Sequence, residues 1–336
     1  MICPEPEQVE GEVEVVRPQE EVTRQKGVKQ KEVTSNVNNA QLDVSRSIAT
    51  QSPVSAPIGR LLVNRINIWK TLPNSKFAND IISRGLTIPF INKQASLRLM
   101  KDKGQVRQYD DNKRRIFDKK CDRLLELGVI ETLPRDANIY FNHVFFNVKP
   151  NGTIRLIFDM KELNKNIAKP RFKMLKSSTI FPYLLNNNFA CKLDLKDAYW
   201  HIPLHSMAQK FLTFKLGNRK FKWTVMPFVL KTAPYIFTKI MFTVVKYIQK
   251  KYGIIVFNYL DDFIILAQDY WTCKEHTKIV IKVLSELGWK ISLEKWVTDP
   301  VKEIDFLGVT FYLESKTMHP MTKNVKKMQR YHENLY

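Results

Sequence analysis

A pair of adjacent aspartates, Asp261 and Asp262, stands between two short, strongly β-prone runs. The runs, Ile254 to Tyr259 and Phe263 to Leu266, are apolar enough to form the two strands of a buried hairpin. Two ionised carboxylates about 4 Å apart repel each other by roughly 4 kcal/mol at an effective dielectric near 20. A divalent cation that offsets this repulsion would explain such a pair at the neck of a hairpin. An exposed turn, in which aspartate bonds to the nearby backbone, is the other interpretation of the pair taken alone.

A third aspartate favours the metal interpretation. Asp194 lies near the end of the apolar run from Phe189 to Leu195, where a buried carboxylate would otherwise need a partner. The interval between Asp194 and Asp261 has room for a hairpin and a helix, which would bring the two strands side by side. Three carboxylates at strand ends supply the hard oxygen ligands that two Mg²⁺ ions accept. A strand-end cap is the alternative role for Asp194.

The charge of the chain indicates an anionic partner. The 336 residues carry a formal net charge of +21, and the pI is near 9.7. This charge suits nucleic acid or an anionic membrane surface. No apolar run approaches the roughly 20 residues that a bilayer-spanning helix needs, and the N-terminus lacks a signal-peptide pattern. We therefore expect an intracellular protein that does not enter a membrane.

The order of the predicted elements indicates an α+β fold. From Phe189 onward the chain reads as strand, hairpin, helix, hairpin, helix and strand, which is typical of helices packed on one face of a mostly antiparallel sheet. Upstream, a helix is predicted over 110–127 and a hairpin over 144–159. A capping box from Thr272 to Glu275 is expected to open the last helix. Residues 1–57, acidic at their start and poor in large apolar residues, are predicted to be disordered.

Six segments resemble the motifs of reverse transcriptases and occur in that family's order over roughly residues 110–311. They are Arg155 to Asn164 (fingers motif), Lys192 to Leu204 (motif A), Met226 to Phe237 (motif B), Tyr259 to Asp262 (motif C), Leu287 to Lys295 (motif D) and Phe306 to Gly308 (primer grip). The sequences of the fingers motif and of motif B most resemble those of DIRS-type tyrosine-recombinase retroelements. Ty3-like and pararetroviral enzymes are the next most similar.

The resemblance implies a right-hand polymerase with a truncated thumb. Its parts would be an N-terminal extension (58–108), fingers (109–188), a palm (189–311) and a partial thumb (312–336). The implied activity is RNA-directed DNA polymerisation, in which two Mg²⁺ ions, or Mn²⁺, help to join deoxynucleotides to a primer 3′-hydroxyl. The implied partners are an RNA or DNA template with its primer, deoxynucleoside triphosphates, and RNase H and recombinase domains of a retroelement polyprotein.

The resemblance also implies roles for individual residues. Those roles are metal binding for Asp194, Asp261 and Asp262, a steric gate against ribose for Tyr199, triphosphate contact for Lys149 and Arg155, a place under the nascent base pair for Phe228, and proton donation to the leaving pyrophosphate for Lys295 or Lys290. A core aromatic is the alternative for Tyr199, and a solvated hairpin edge is the alternative for Lys149 and Arg155. The basic run from Lys161 to Lys176 is either a template-backbone contact or a solvated loop.

Two features set this chain apart from the family pattern. Val229 stands where motif B usually has glycine, and the chain ends at Tyr336, soon after the primer grip. We therefore keep a second hypothesis, a truncated or decayed copy that binds nucleic acid without turnover. An RNA-dependent RNA polymerase is a further alternative, against which Tyr199 argues.

Overall fold

A computed structural model describes residues 56–101, 111–137, 139–148, 154–292 and 297–321. All of them belong to one unit, Val54–Tyr336. The predicted disordered tail lies almost entirely outside the described residues. The boundaries of the extension, fingers, palm and thumb remain predictions.

The α-helices are α1 (Ile66–Trp69), α2 (Lys76–Arg84), α3 (Lys93–Lys101), α4 (Asp111–Glu126), α5 (Lys161–Lys165), α6 (Ser177–Ile180), α7 (Ser206–Gln209), α8 (Ala233–Tyr252) and α9 (Tyr270–Glu286), with 3₁₀ turns at Ile58–Arg60, Val63–Arg65, Phe181–Leu184 and Ala198–His201. The strands are β1 (Ile130–Leu133), β2 (His143–Val148), β3 (Ile154–Asp159), β4 (Phe189–Asp194), β5 (Thr213–Leu216), β6 (Arg219–Trp223), β7 (Ile255–Tyr259), β8 (Asp262–Ala267), β9 (Val297–Val301), β10 (Glu303–Phe306), β11 (Val309–Tyr312) and β12 (Thr317–Pro320). None of these helices combines the length and the apolar content that crossing a bilayer requires.

The central sheet has the strand order β7-β8-β4-β9, and all its pairs are antiparallel. The long helices α8 and α9 pack against it. Strand β8 is buried on both faces: Ile264 and Leu266 join a core cluster with Ile304, Phe306 and Phe311 of the β10-β11-β12 sheet. The intervening side chains of β8 point to the opposite face of the sheet. The second sheet therefore covers part of the face of the central sheet that the helices leave open.

Most of the predicted elements are confirmed. Helix α4 and the hairpins β2–β3, β5–β6 and β7–β8 lie where the sequence places them, and the result is an α+β fold. The start of α9 was predicted wrongly. The helix begins before Thr272, and Asp269 is its N-cap: the Asp269 carboxylate accepts a hydrogen bond from the Thr272 amide over 2.9 Å. Aspartate at this position also balances the positive end of the helix dipole.

The first described segment, from Ile58 to Trp69, connects distant parts of the chain. The Ile58 amide donates to the Leu127 carbonyl (3.2 Å) at the end of α4, and the Trp69 indole donates to the Leu287 carbonyl (2.9 Å) after α9. At Gly288 an added Cβ would lie 2.5 Å from a backbone oxygen of this segment. Only glycine permits so close an approach.

Candidate active site

A two-residue turn, Leu260-Asp261, joins β7 to β8 and presents the aspartate pair. Leu260 has a positive φ of 53° and Asp261 does not, which is the pattern of a type II′ hairpin turn. Leucine in this left-handed region costs roughly 1–3 kcal/mol, which the surrounding structure must offset. The Asn258 side chain contributes by donating to the Leu260 carbonyl over 3.1 Å. Sequence reasoning did not single out Asn258.

Asp194 lies directly across from this turn. It is the antiparallel partner of Asp262 in the β4–β8 register, and the Leu195 amide donates to the Asp261 carbonyl over 3.0 Å. Asp194 is 4% exposed, and its own carbonyl accepts from the Ser292 amide over 2.7 Å. The backbone therefore brings the three predicted aspartates to one end of the central sheet, as the sequence interval required.

The three carboxylate side chains do not converge on one metal position in this structure. Within the described ranges, no three His, Cys, Asp or Glu side chains are placed to hold one metal ion together. Asp262 instead forms an ion pair with Lys192, whose Nζ lies 3.4 Å from its Oδ1. The donor set is nonetheless all oxygen and includes the buried Asp194, so its chemistry fits a hard divalent cation.

Tyr199 lies in the 3₁₀ turn that follows β4, with its ring centroid 5.1 Å from that of Phe237 on α8. Burial, together with the nearby Asp261 and Tyr259, raises the pKa of the Tyr199 hydroxyl to about 12. The hydroxyl is therefore protonated at neutral pH. Tyr199 lies close enough to Asp261 to interact with its charge, and its role as a steric gate stays a prediction.

Motif B forms a loop that helix α5 holds in place. The Asn164 amide group donates to the Val229 carbonyl (2.9 Å), and its oxygen accepts from the Lys231 amide (2.8 Å). This loop presents Phe228, which is 40% exposed. Val229 itself does not adopt a positive φ. This position therefore does not require the backbone angle that only glycine tolerates.

The loop that contains Lys290 is attached to motif A through a buried histidine. The Lys290 amide donates to Nε2 of His201 (3.1 Å), and Nδ1 of His201 lies 3.3 Å from the Asp197 carbonyl. Burial lowers the pKa of His201 to about 4, so the ring is neutral, with its proton on Nδ1. The Lys196 amide adds a bond to the Lys290 carbonyl (2.8 Å). His201 lies within motif A, but the sequence predicted no role for it.

Three predicted nucleotide contacts cannot be placed. Lys149 and Lys295 lie outside the described residues. The backbone of Arg155 pairs with Asn147 in the β2–β3 hairpin, but its side chain also lies outside the description. The roles of all three stay predictions.

A cleft of about 700 Å³ lies between the aspartate turn and the β10–β11 turn. Tyr259, Asp262 and Lys192 line one side, and Leu307 and Gly308 line the other. Leu307 (φ 54°) and Gly308 (φ 78°) both have positive φ, which is the pattern of a type I′ turn. The predicted primer grip therefore borders the predicted catalytic residues.

Comparison with known proteins shows which family the chain resembles. Residues 148–311 match the family model described as reverse transcriptase (RNA-dependent DNA polymerase). The genome polyprotein of Petunia vein clearing virus is 29% identical over 202 residues, which cover 57% of this chain and 9% of that polyprotein. The Pol polyprotein from the Drosophila melanogaster transposon gypsy is 28% identical over 184 residues, which cover 54% of this chain and 17% of the polyprotein. The chain thus spans a small part of these relatives.

Solved structures show the same fold. The foamy viral protease-reverse transcriptase in complex with dsDNA superposes with a TM-score of 0.56 at 17% identity, covering 86% of this chain and 58% of that one. Its complex with RNA/DNA hybrid also gives a TM-score of 0.56, covering 90% of this chain and 38% of that one. Residues 148–311 therefore resemble the reverse transcriptase domains of retroelement and pararetroviral polyproteins, and the solved structures show that the chain shares their fold.

Proposed function

We propose that this chain is an RNA-directed DNA polymerase that adds deoxynucleotides to a primer 3′-hydroxyl. The main support for this proposal is the position of Asp194 opposite Asp262 on neighbouring strands. Asp261 lies in the adjoining turn, and Tyr199 lies near Asp261. A cleft large enough for a primer end opens next to these residues. A structural role alone would not require three carboxylates at one sheet end in so basic a chain.

The roles of the residues follow from their positions. Asp194, Asp261 and Asp262 would hold two Mg²⁺ or Mn²⁺ ions, which supply the charge that activates the 3′-hydroxyl and stabilises the leaving pyrophosphate. The Leu307-Gly308 turn would orient the primer end. Tyr199 would occupy the space of a ribose 2′-hydroxyl and so favour deoxynucleotides.

Primer extension by the full chain tests this proposal. The assay supplies a poly-A RNA template, an oligo-dT primer, Mg²⁺ and deoxynucleotides. We expect extension by the unmodified chain and none by Asp194→Asn, whereas Asp299→Asn, at an exposed carboxylate paired with Lys274, serves as the matched control. Binding of primer–template without extension by the unmodified chain would reject the polymerase proposal in favour of a copy that only binds nucleic acid.

Val229 is the position to examine if extension is weak. Its backbone angle needs no glycine, so the remaining cause would be the space that its side chain takes from the template base. Val229→Gly would then restore extension. Equal use of ribonucleotides and deoxynucleotides would favour an RNA polymerase instead.

The finer class is also a proposal. We infer that the domain comes from an intracellular retroelement polyprotein with RNase H and recombinase domains, of DIRS type. The similarity to a pararetrovirus and to the gypsy transposon supports the polyprotein setting. The coding sequence on either side of this domain would test the DIRS assignment. Downstream RNase H and tyrosine-recombinase motifs would support it, and an aspartic protease with an integrase would contradict it.

A further inference from the structure

Helix α8 has an exposed face that the proposed polymerase activity does not explain. Its inner face is buried, with Phe237, Ile240 and Val244 fully enclosed. Its outer face presents Tyr235, Lys239, Phe242 and Lys246, with Phe242 58% exposed. Because the spacing is four, three and four residues, these side chains form one stripe along roughly 16 Å of helix.

The lysines of α8 contact aromatic rings. The Lys239 Nζ lies 4.3 Å from the ring centroid of Phe77 on α2 and 5.7 Å from that of Tyr235, and the Lys246 Nζ lies 5.7 Å from that of Phe242. No acidic residue occurs in α8. Among the described residues, no ion pair involves an α8 lysine. The positive charge of this face is therefore available to an anion.

The stripe continues into the basic run of the fingers. Phe172, which is 36% exposed, lies edge-to-face against Tyr235 with ring centroids 5.5 Å apart. Phe172 stands between Arg171 and Lys173, inside the run from Lys161 to Lys176. The Lys231 side chain fastens that run to motif B by donating to the Ile167 carbonyl over 2.7 Å. The aromatic–lysine stripe (Phe77, Phe172, Tyr235, Lys239, Phe242 and Lys246) therefore starts at the predicted template-contacting region.

We propose that the aromatic–lysine stripe binds the single-stranded part of the template before it reaches the active site. Aromatic rings interleaved with cations, on a helix without carboxylates, match the chemistry of single-stranded nucleic acid: bases stack on the rings and phosphates contact the lysines. A protein partner is less well matched, because both lysines of the stripe would have to be paired or desolvated. The proposal rests on the proposed function, since it assumes a template.

Binding of two primer–templates to the full chain tests the proposal. One has a long single-stranded template overhang and the other is blunt-ended. For Phe242→Ala/Lys246→Ala we expect affinity for the overhang substrate to fall by about tenfold, the scale of losing one base-stacking partner. Affinity for the blunt duplex should not change. The salt dependence should also weaken, with a slope lower by about 0.7 for the one lysine removed.

The matched control is Trp271→Ala/Lys278→Ala on helix α9. Trp271 is 71% exposed, and Lys278 already pairs with Glu275 over 2.6 Å, so this face also offers an aromatic ring and a lysine. We expect the control to bind both substrates like the unmodified chain, and thermal unfolding to show that both variants are folded. An equal loss on both substrates, no loss on either, or a stripe-dependent self-association seen by light scattering would overturn the proposal.

Single-nucleotide incorporation separates this proposal from the proposed function. We expect a one-nucleotide overhang to be too short to reach Phe242 and Lys246, so the stripe variant should extend this substrate at the unmodified rate. If no form of the chain incorporates a nucleotide, the polymerase function is rejected. The binding comparison needs no turnover and would still test whether the stripe binds the template. Reduced incorporation by the stripe variant on this short substrate would overturn the stripe proposal.

Discussion

Two tight turns border the same cleft, and they differ in what their second residue presents. The aspartate turn is Leu260-Asp261, and the opposite turn is Leu307-Gly308. Both begin with leucine in the left-handed region, at φ 53° and 54°. The second residue is Asp261 in the first turn and Gly308, which has no side chain, in the second. Two hairpin turns of different type, II′ and I′, thus place a charge on one side of the cleft and leave space for a bulky ligand on the other.

The two turns also differ in how they are supported. The Asp261 carbonyl accepts from Leu195, and Leu195 also forms a bridge with Ile291, next to the loop that His201 anchors. The Gly308 carbonyl accepts from the Met321 amide (3.1 Å) near the end of the described chain. The aspartate turn therefore depends on a buried polar network, whereas the opposite turn rests on a neighbouring strand end.

Removing the charge from the aspartate turn should have the largest effect. We expect Asp261→Asn to lower deoxynucleotide incorporation by on the order of a thousandfold, because a metal ligand contributes several kcal/mol to the transition state. The melting temperature should change little. Steady-state incorporation with the Asp299→Asn control measures this effect. Retention of more than a tenth of the activity would show that Asp261 is not a ligand.

Acid should weaken the support of the aspartate turn. His201 is buried and neutral, and its pKa in the folded state, about 4, lies below its ordinary value of 6.5. Its contribution to stability is therefore complete above pH 6.5 and is lost as the pH falls through 4, by on the order of 3 kcal/mol in all. Lys290 adds to this depression, whereas the Asp197 carbonyl opposes it.

Chemical denaturation at several pH values measures this loss. The control is His201→Gln, which can still donate to Asp197 and accept from Lys290 but does not titrate. We expect the free energy of unfolding of this variant to depend less on pH between 6.5 and 4. Identical pH profiles for the two proteins would show that the ring does not remain neutral.

Adding a side chain at Gly308 should strain the backbone of the turn and fill part of the cleft. Gly308→Ala places a Cβ at φ 78°, so we expect a loss of about 1–2 kcal/mol in the free energy of unfolding and a higher KM for primer. Gly308→Asn is the comparison, because asparagine tolerates this region better and should cost less stability. If both variants leave the KM for primer unchanged, the turn does not orient the primer.

Relieving the backbone of the aspartate turn should have the smallest effect. Leu260→Asn replaces a residue that resists a φ of 53° with one that accepts it, so the free energy of unfolding should rise by less than about 1 kcal/mol. Incorporation should stay within about threefold of the unmodified rate, which corresponds to less than 1 kcal/mol. A loss of activity comparable with that of Asp261→Asn would indicate that the leucine side chain itself serves the reaction.

Local patterns predicted the elements better than the contacts between them. The periodicity of β7 and β8 and the apolar face of α8 are visible in the chain, so their bounds were close. The N-cap of α9 was assigned to Thr272, because a capping-box spacing was weighed without the competing Asp269. Asn164 and His201 could not be assigned roles, because their partners, Val229 and Lys290, are brought to them only by the tertiary fold. The three aspartates were the exception, since the strand pattern alone implied that they would meet.

The segment from Ile58 to Trp69 has a consequence for the time course of folding. The Trp69 indole finds its acceptor, the Leu287 carbonyl, 218 positions later in the chain. Contacts between residues so far apart in the sequence form late in folding. During synthesis this hydrogen bond cannot form until residues near 287 have left the ribosome. Until then, Trp69, which is fully buried in the finished fold, remains exposed. The nascent chain should therefore be most prone to aggregation, and most dependent on chaperones, just before residues near 287 emerge.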